Sequence, residues 1–163
     1  MRLFFETMDE TRRARDWTWA QLGVAINAPF AGTPSIPIST STLRGMLDKH
    51  SVTSAVVVQV LRCLKRSPES FMTGPSAIPG RPFRDPGIGR ILRFDTRALY
   101  DALNVRREER HLTWSQVAAE LPHFTASMLT NLASGPLIGC PRVFRITQWL
   151  HRPAADFVKA YGR

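Results

Sequence analysis

Few residues in this 163-residue chain have the types and spacing that catalysis or metal binding requires. Ser41 and Ser127 have no nearby histidine and acid in a pattern that would activate a serine nucleophile. The histidines are scattered without the spacing of metal ligands, at His50, His111, His123 and His151. We therefore expect no enzyme activity, no metal and no cofactor.

The two cysteines and one glycine-rich turn also provide no catalytic or metal-binding motif. Cys63 and Cys140 are the only two cysteines, and they do not lie at matching positions of the sequence repeat described below. They therefore predict buried thiols in a reducing cytoplasm, not a disulfide or metal framework. The turn from Gly135 to Gly139 is not followed by the Gly-Lys-Ser/Thr of a phosphate loop. The remaining chemistry is recognition by charge and by hydrogen bonds.

The charge balance favours a polyanionic partner. The net charge is +9, and it divides as 9 − 6 = +3 in residues 1–72, 3 − 1 = +2 in 73–92 and 10 − 6 = +4 in 93–163. A basic balance in every segment favours nucleic acid, with a soluble basic surface as the alternative. No apolar run reaches the roughly 18 residues of a membrane span, and acids follow the N-terminal apolar residues at once, unlike a signal peptide. We expect a cytoplasmic protein that is nucleoid-associated when bound to DNA.

Two short helices after residue 112 form the element that would carry this recognition. Thr113 and Gln116 have the spacing of a capping box, and the apolar stripe that follows predicts a helix over 114–121. Thr125 caps a second short helix, over 125–133, which Gly135-Pro136 ends. Two short helices across a tight turn predict a helix-turn-helix.

The same pattern occurs twice. Thr18-Trp19-Ala20-Gln21-Leu22 matches Thr113-Trp114-Ser115-Gln116-Val117 at an offset of 95, and downstream matches such as Phe71 with Phe157 have an offset of 86. The chain is therefore a diverged duplication with nine extra residues in the first copy's turn. We predict domains at 1–72 and 93–163, joined by a Pro/Gly-rich linker at 73–92.

The remaining helices follow from caps, prolines and apolar spacing. In the first copy they are predicted at 3–15, 18–26, about 40–47 and 53–65, with a short last helix at Pro68; Ser39 or Thr40 caps the third. In the second copy, Asp95 or Thr96 begins a helix to Arg110, and others follow at 141–150 and 153–160. Residues 27–38 are predicted to be a loop, with a small hairpin as an option, and no segment alternates like a half-buried strand.

These features resemble the lambda-repressor-like helix-turn-helix domain of the XRE family of regulators. The resemblance rests on five short helices, the Thr-Trp-x-Gln opening of the second and the Ser/Thr-x-Ser-x-Leu opening of the third. It covers residues 94–158 and, less closely, residues 4–71. It implies an all-α fold of two tandem five-helix domains, each of which docks its third helix in the DNA major groove.

The resemblance also implies the residues that contact DNA. In that family the glutamine that opens the second helix touches a phosphate, and the third helix reads bases. Carried over, the phosphate contacts are Gln21 and Gln116, and the base-reading positions are Thr40, Ser41, Arg44 and Gly45 in the first copy and Ala126, Ser127, Thr130 and Asn131 in the second. Arg44 could bind guanine and Asn131 adenine through paired hydrogen bonds. Because the second copy's third helix has no basic residue, its affinity would come from Arg142 and Arg145.

Two functions remain open. The first is a double-stranded DNA-binding transcriptional regulator, acting as one chain with two unlike half-sites or as a homodimer. The second is a protein-interaction module, of antitoxin or anti-activator type, whose partner would bind the loop at 27–38 through Phe30, Ile36 and Ile38.

Two groups of side chains also have alternative roles. Trp19 and Trp114 could stack on bases, but are expected to fill the seam between helices. Four arginines could bind phosphate or pair with nearby acids, namely Arg12, Arg15, Arg107 and Arg110.

Overall fold

The computed structural model describes residues 2–48, 52–72, 78–135 and 138–162. His50 and the predicted helix stop at Pro136 lie outside the described residues. The described chain is mostly helical, with one antiparallel pair of strands.

The elements follow each other in two similar series. The first contains α1 (Arg2–Ala14), α2 (Trp19–Asn27), α3 (Thr40–Arg44) and α4 (Ser54–Leu64). The second begins with β1 (Arg90–Phe94) and continues with α5 (Thr96–Glu109), α6 (Trp114–Glu120), α7 (Ala126–Asn131), α8 (Cys140–Leu150) and β2 (Val158–Gly162). Short 3-10 turns lie at Ala28–Phe30, Pro68–Phe71, Leu132–Ser134 and Ala154–Phe157.

The two series repeat at the offsets seen in the sequence. Helices α4 and α8 begin and end 86 residues apart, as do the turns Pro68–Phe71 and Ala154–Phe157. Each of these helices ends on a left-handed residue, Lys65 with φ 52° and His151 with φ 54°. The first helix of each series is likewise followed by a left-handed residue, at positions 95 apart. The two series therefore match in the backbone conformation of single residues as well as in the bounds of these helices and turns.

The predicted helix caps are confirmed. The Thr18 hydroxyl accepts from the Gln21 backbone N–H at 3.2 Å, and the Thr113 hydroxyl accepts from the Gln116 N–H at 3.3 Å. In both boxes the glutamine Oε1 accepts from the threonine N–H at 2.8 Å. The side chains of Ser39, Asp95 and Thr125 cap α3, α5 and α7. Such side chains satisfy N–H groups that have no partner inside a helix.

The expected helical class holds for most of the described chain, but a pair of strands was not predicted. β1 and β2 pair antiparallel, with Leu92 opposite Ala160 and Phe94 opposite Val158. Ile91, Leu92 and Phe94 are all buried, so both faces of β1 meet protein and its sequence shows no alternation. The helix predicted at 153–160 is a single 3-10 turn that continues as β2.

The loop at 27–38 contains no strand, and one side chain closes it. The Asn27 amide donates to the Ile38 carbonyl at 2.9 Å and accepts from the Ile38 N–H at 2.9 Å. This side chain replaces the pair of hydrogen bonds that a hairpin would form. The optional hairpin is therefore wrong, and α3 ends at Arg44 rather than near Leu47.

Strand β1 joins the two series because it lies on α4. The Gln59 amide donates to the Leu92 carbonyl at 2.6 Å. The Arg62 guanidinium donates to the carbonyls of Arg90 and Gly87 at 2.6 and 2.8 Å, and to the Asp85 carboxylate at 2.6 Å. The start of the second series is thus held by a helix of the first, and one apolar core includes both.

At two places equivalent residues of the two series contact each other, which is a local two-fold relation. An isolated antiparallel bridge joins Thr53 and Gly139, which lie 86 residues apart. The turns Pro68–Phe71 and Ala154–Phe157 also contact each other, and the Glu69 carboxylate accepts from the Ala154 N–H at 2.7 Å. Contacts between the same patch of each copy are the mark of an isologous interface.

We expect Arg62→Ala to lower the free energy of unfolding by about 2–4 kcal/mol, because it removes a buried side chain together with the hydrogen bonds that it donates to Arg90, Gly87 and Asp85. The Arg62 side chain is only 4% exposed. Urea unfolding followed by circular dichroism measures the change. Arg13→Ala is the control, because that side chain is 71% exposed and should cost less than about 1 kcal/mol. Equal losses in the two variants would contradict the assigned role of Arg62.

The contact between Arg62 and Asp85 predicts that the free energy of unfolding depends on pH. The Gly87 N–H and then the Arg62 side chain lower the pKa of the Asp85 carboxyl. A lowered folded-state pKa stabilises the fold above the unfolded value of about 3.9, and this contribution is lost as pH falls through the folded pKa. The urea concentration at the midpoint of unfolding should therefore be higher for wild type than for Asp85→Asn at pH 6. This difference in midpoint should shrink as the pH is lowered toward 2.5. A gap independent of pH would contradict this assignment.

Candidate nucleic-acid interface

Helix α7 presents the predicted base-reading residues of the second copy on one face. Leu129 is fully buried and fixes the opposite face against the core. Ser127, Thr130 and Asn131 are exposed, and Ala126 is half-buried. The Thr130 hydroxyl donates to the Ser127 carbonyl at 3.1 Å, and the Asn131 amide lies 3.4 Å from the Ser127 hydroxyl. The structure therefore brings these polar groups together at the surface.

Helix α3 holds the corresponding residues of the first copy in a shorter element. Leu43 is fully buried, whereas Ser41 and Arg44 are exposed and Thr40 is half-buried. The Ser41 hydroxyl lies 2.9 Å from the Ser39 hydroxyl. Within the described ranges the Arg44 guanidinium has no hydrogen-bond or ion-pair partner, so it can meet a ligand without breaking an internal contact.

The two glutamines that open α2 and α6 are both exposed. In each, the capping box occupies Oε1 and orients the side chain across the start of the helix. The amide nitrogens of Gln21 and Gln116 donate to no residue in the described part of the chain. Each copy thus presents an amide donor next to the free N–H groups of a helix start, which are favourable for a phosphate oxygen.

Arg142 and Arg145 occupy different environments on α8. Arg142 is exposed and contacts no described acid or carbonyl. Arg145 is half-buried and donates to the Pro122 carbonyl at 2.6 Å, in the turn between α6 and α7. Arg142 has no internal contact that a phosphate would displace, whereas Arg145 fixes the turn between α6 and α7.

The first helix of each copy carries an arginine that is used internally. The Arg12 guanidinium lies 5.0 Å from the Trp19 ring, donates to the Trp17 carbonyl at 2.8 Å and pairs with Asp9 at 2.7 Å. Arg107 lies 5.0 Å from the Trp114 ring and donates to the Leu112 carbonyl at 2.9 Å. Of the two roles considered, the structure therefore favours internal pairing for these arginines.

The other two of these four arginines, Arg15 and Arg110, also contact protein groups. Arg15 lies over the Trp17 ring, and Arg110 holds Glu120 through two hydrogen bonds of 2.7 and 2.8 Å. The Trp149 indole N–H also donates to Glu120. The Arg110 and Trp149 bonds lower the pKa of the Glu120 carboxyl.

The tryptophans pack as expected for core residues. Trp19 stacks on Phe5 at 5.6 Å between ring centroids, and Trp114 stacks on Tyr100 at 5.4 Å. Both indoles are partly buried against the core. They are therefore held between the first two helices of each copy and are not free to stack on bases.

The expected apolar partner surface at 27–38 is only partly present. Ile36 is 88% exposed, but Phe30 is 2% exposed and belongs inside the fold. Ile38 packs against the core and is half-buried. The expectation that Phe30 and Ile38 are exposed was wrong. Phe30 lies in the turn Ala28–Phe30, which contacts β1, and the Asn27 bonds hold Ile38 at the end of the loop.

Thiol chemistry has no favourable site. Burial raises the pKa of the Cys140 thiol to about 12, and burial also raises the pKa of Cys63. Within the residues the structure describes, no three histidine, cysteine or acidic side chains cluster as metal ligands. No described helix is long and apolar enough to cross a membrane.

Comparison with known protein families, with curated proteins and with solved structures finds no match to this chain.

Sequence analysis missed the contacts that join the copies, although a signal was present. Gln59 and Arg62 interrupt the apolar run of α4 at a spacing of three residues. Polar residues inside an otherwise buried helix need partners, and this spacing puts both on one side of the helix. The identity of the partner strand could not be read from the sequence.

We expect Arg107→Ala to lower the free energy of unfolding by about 1–3 kcal/mol, because it leaves the Leu112 carbonyl unpaired and uncovers Trp114. Arg107→Lys should recover less than half of this loss, because lysine has no planar group to stack while it donates. Thermal unfolding measures both variants. Full recovery by lysine would show that only the charge matters.

Proposed function

We propose that this chain is a sequence-specific double-stranded DNA-binding transcriptional regulator built from two lambda-repressor-like helix-turn-helix domains. The observation that carries the proposal is the exposed polar face of α7, formed by Ser127, Thr130 and Asn131. These side chains lie on a short helix that Leu129 anchors in the core. Hydroxyl and amide groups on such a face can bind base edges in the major groove.

Charge supports the proposal independently of the helix geometry. The chain carries a net charge of +9. Several exposed cations contact no described acid, carbonyl or ring, namely Arg44, Arg84, Arg90 and Arg142. Cations without internal partners can replace the counterions of DNA phosphates, which would make binding salt-dependent.

The two-fold relation favours binding to two half-sites by a single chain. The copies differ at their base-reading positions, since Arg44 of α3 has no basic counterpart on α7. Arginine prefers guanine, whereas asparagine prefers adenine. The half-sites should therefore differ in sequence, with centres about 34 Å apart if they lie one helical turn apart.

A second candidate is a protein-interaction module that keeps the helix-turn-helix fold without reading DNA sequence. The observations that favour it are the exposed Ile36 and the absence of a basic residue on α7. Such a protein would bind DNA only through charge.

Selection from random duplex DNA at near-physiological salt distinguishes the two candidates. We expect enrichment of a motif with two unlike halves, because α3 and α7 present different side chains. No enrichment, together with bulk binding that fades with salt, would reject sequence-specific regulation and support the second candidate.

Variants can then assign each half of the selected motif. Arg44→Ala should relax one half, and Ser127→Ala with Asn131→Ala the other, each at a cost of about 1–3 kcal/mol per lost base contact. Arg13→Ala is a matched surface control that removes a cation outside α3 and α7. Unchanged footprints in both test variants would reject the assignment of these helices.

A further inference from the structure

A cleft of about 740 Å³ lies between the two copies. One wall comes from the first copy, including Phe4, Phe71 and Met72, and the other is largely the surface of α8. The lining is mostly apolar, with charged groups from Arg145 and Glu120. Glu120 is already paired with Arg110, whereas Arg145 has no acidic partner among the described residues.

The α8 wall has an equivalent in the first copy. At the offset of 86, the cleft residues Phe144, Arg145 and Gln148 correspond to Val58, Gln59 and Arg62 of α4. On α4 this face is buried, with Val58 at 0%, Gln59 at 1% and Arg62 at 7% exposure. The equivalent residues of α8 are only half-buried.

The α4 face is buried because an extended segment of chain lies on it. Gln59 and Arg62 donate to the carbonyls of Leu92, Arg90 and Gly87 in that segment. Backbone carbonyls occur in any sequence, so this kind of contact selects an extended backbone more than particular side chains. Arg145 lies at the position of Gln59, and it has further hydrogen-bond donors besides the Nη1 group that binds the Pro122 carbonyl.

The other walls correspond as well. Phe71 and Met72 of the cleft match Phe157 and Val158, which flank β1. The Asp95 N–H, just after β1, donates to the Phe157 carbonyl at 2.8 Å. Met72 and Val158 both have extended backbone. The cleft thus reproduces around α8 the surroundings that hold β1 on α4.

We propose that this cleft binds an extended peptide segment of a partner protein, which lies on α8 as β1 lies on α4. The peptide places apolar side chains against Phe4, Phe71 and Phe144, and its carbonyls accept from Arg145. It carries a carboxylate near Arg145, which is the cation of the cleft without an acidic partner in the described chain. This site does not depend on DNA binding.

A labelled peptide tests the proposal with the whole chain. The probe is a fluorescein-labelled peptide of residues 85–94 carrying Arg90→Glu and Arg93→Glu, which keeps the strand of the α4 site and adds acidic groups. Fluorescence anisotropy measures its affinity, and a scrambled peptide is the reference. We expect saturable binding that is at least tenfold tighter than that of the scrambled peptide.

Variants of α8 locate the binding. Arg145→Ala should weaken binding roughly tenfold through lost charge-assisted hydrogen bonds, whereas Arg142→Ala, on the same helix but outside the cleft, should change it less than about twofold. Met72→Trp, which narrows the cleft, should also weaken binding and guards against a fold defect in Arg145→Ala. Circular dichroism checks the fold of each variant.

Four outcomes would overturn the proposal. The first two are binding of the scrambled peptide as tight as that of the probe peptide, and affinities of the Arg145 and Met72 variants that equal the wild-type affinity. The third is tight binding of dodecanoate in the cleft without binding of the peptide, which would identify a site for small amphipathic carboxylates. The fourth is self-association of the chain that Arg145→Ala abolishes, which would assign the cleft to a second copy.

Discussion

The position of β1 on α4 is the constraint on which the rest of the structure depends. A strand that directly precedes the second copy is held by two buried side chains of the first, Gln59 and Arg62. Gln59 satisfies the buried Leu92 carbonyl, and the buried Arg62 finds its acceptors in the Arg90 and Gly87 carbonyls. Because β1 continues into α5 and pairs with β2, the same contact orients both ends of the second copy. The copies are consequently parts of one core.

The two copies contact each other through equivalent residues and differ at equivalent positions of their surfaces. Equivalent residues meet at the Thr53–Gly139 bridge, so the copies are joined by direct contact as well as by the residues between them. Divergence then acts on matched positions. Arg44 distinguishes the surface of α3 from that of α7, and Arg145 replaces Gln59 where α8 meets the cleft rather than a strand. The same fold therefore presents two different surfaces at α3 and α7. Its α4 face is covered by β1, whereas its α8 face borders an open cleft.

Local features of this fold were predictable because they depend on neighbours in sequence. The Thr113 capping box followed from spacing, and its Thr18 counterpart from the repeat. Caps, prolines and apolar spacing predicted α4 and α8 to within one residue at each end. The strands were not predictable, since both faces of β1 are buried and its partner lies far along the chain. Ser127, Thr130 and Asn131 of α7 are exposed as expected. The inward position of Phe30 was not predictable, since its turn contacts β1, which lies far along the chain. Whether these surfaces read DNA is a question of chemistry that spacing does not decide.

The measurement that tests the shared core most directly is native-state hydrogen exchange at single residues. If β1 locks the copies together, the slowest amides of α4 and α5, such as those of Leu61 and Leu103, should exchange with one common free energy of opening. Loosening the contact with Arg62→Ala should then lower both by the same amount. A fall at Leu61 with no change at Leu103 would contradict the account, because the two copies would then unfold as independent domains.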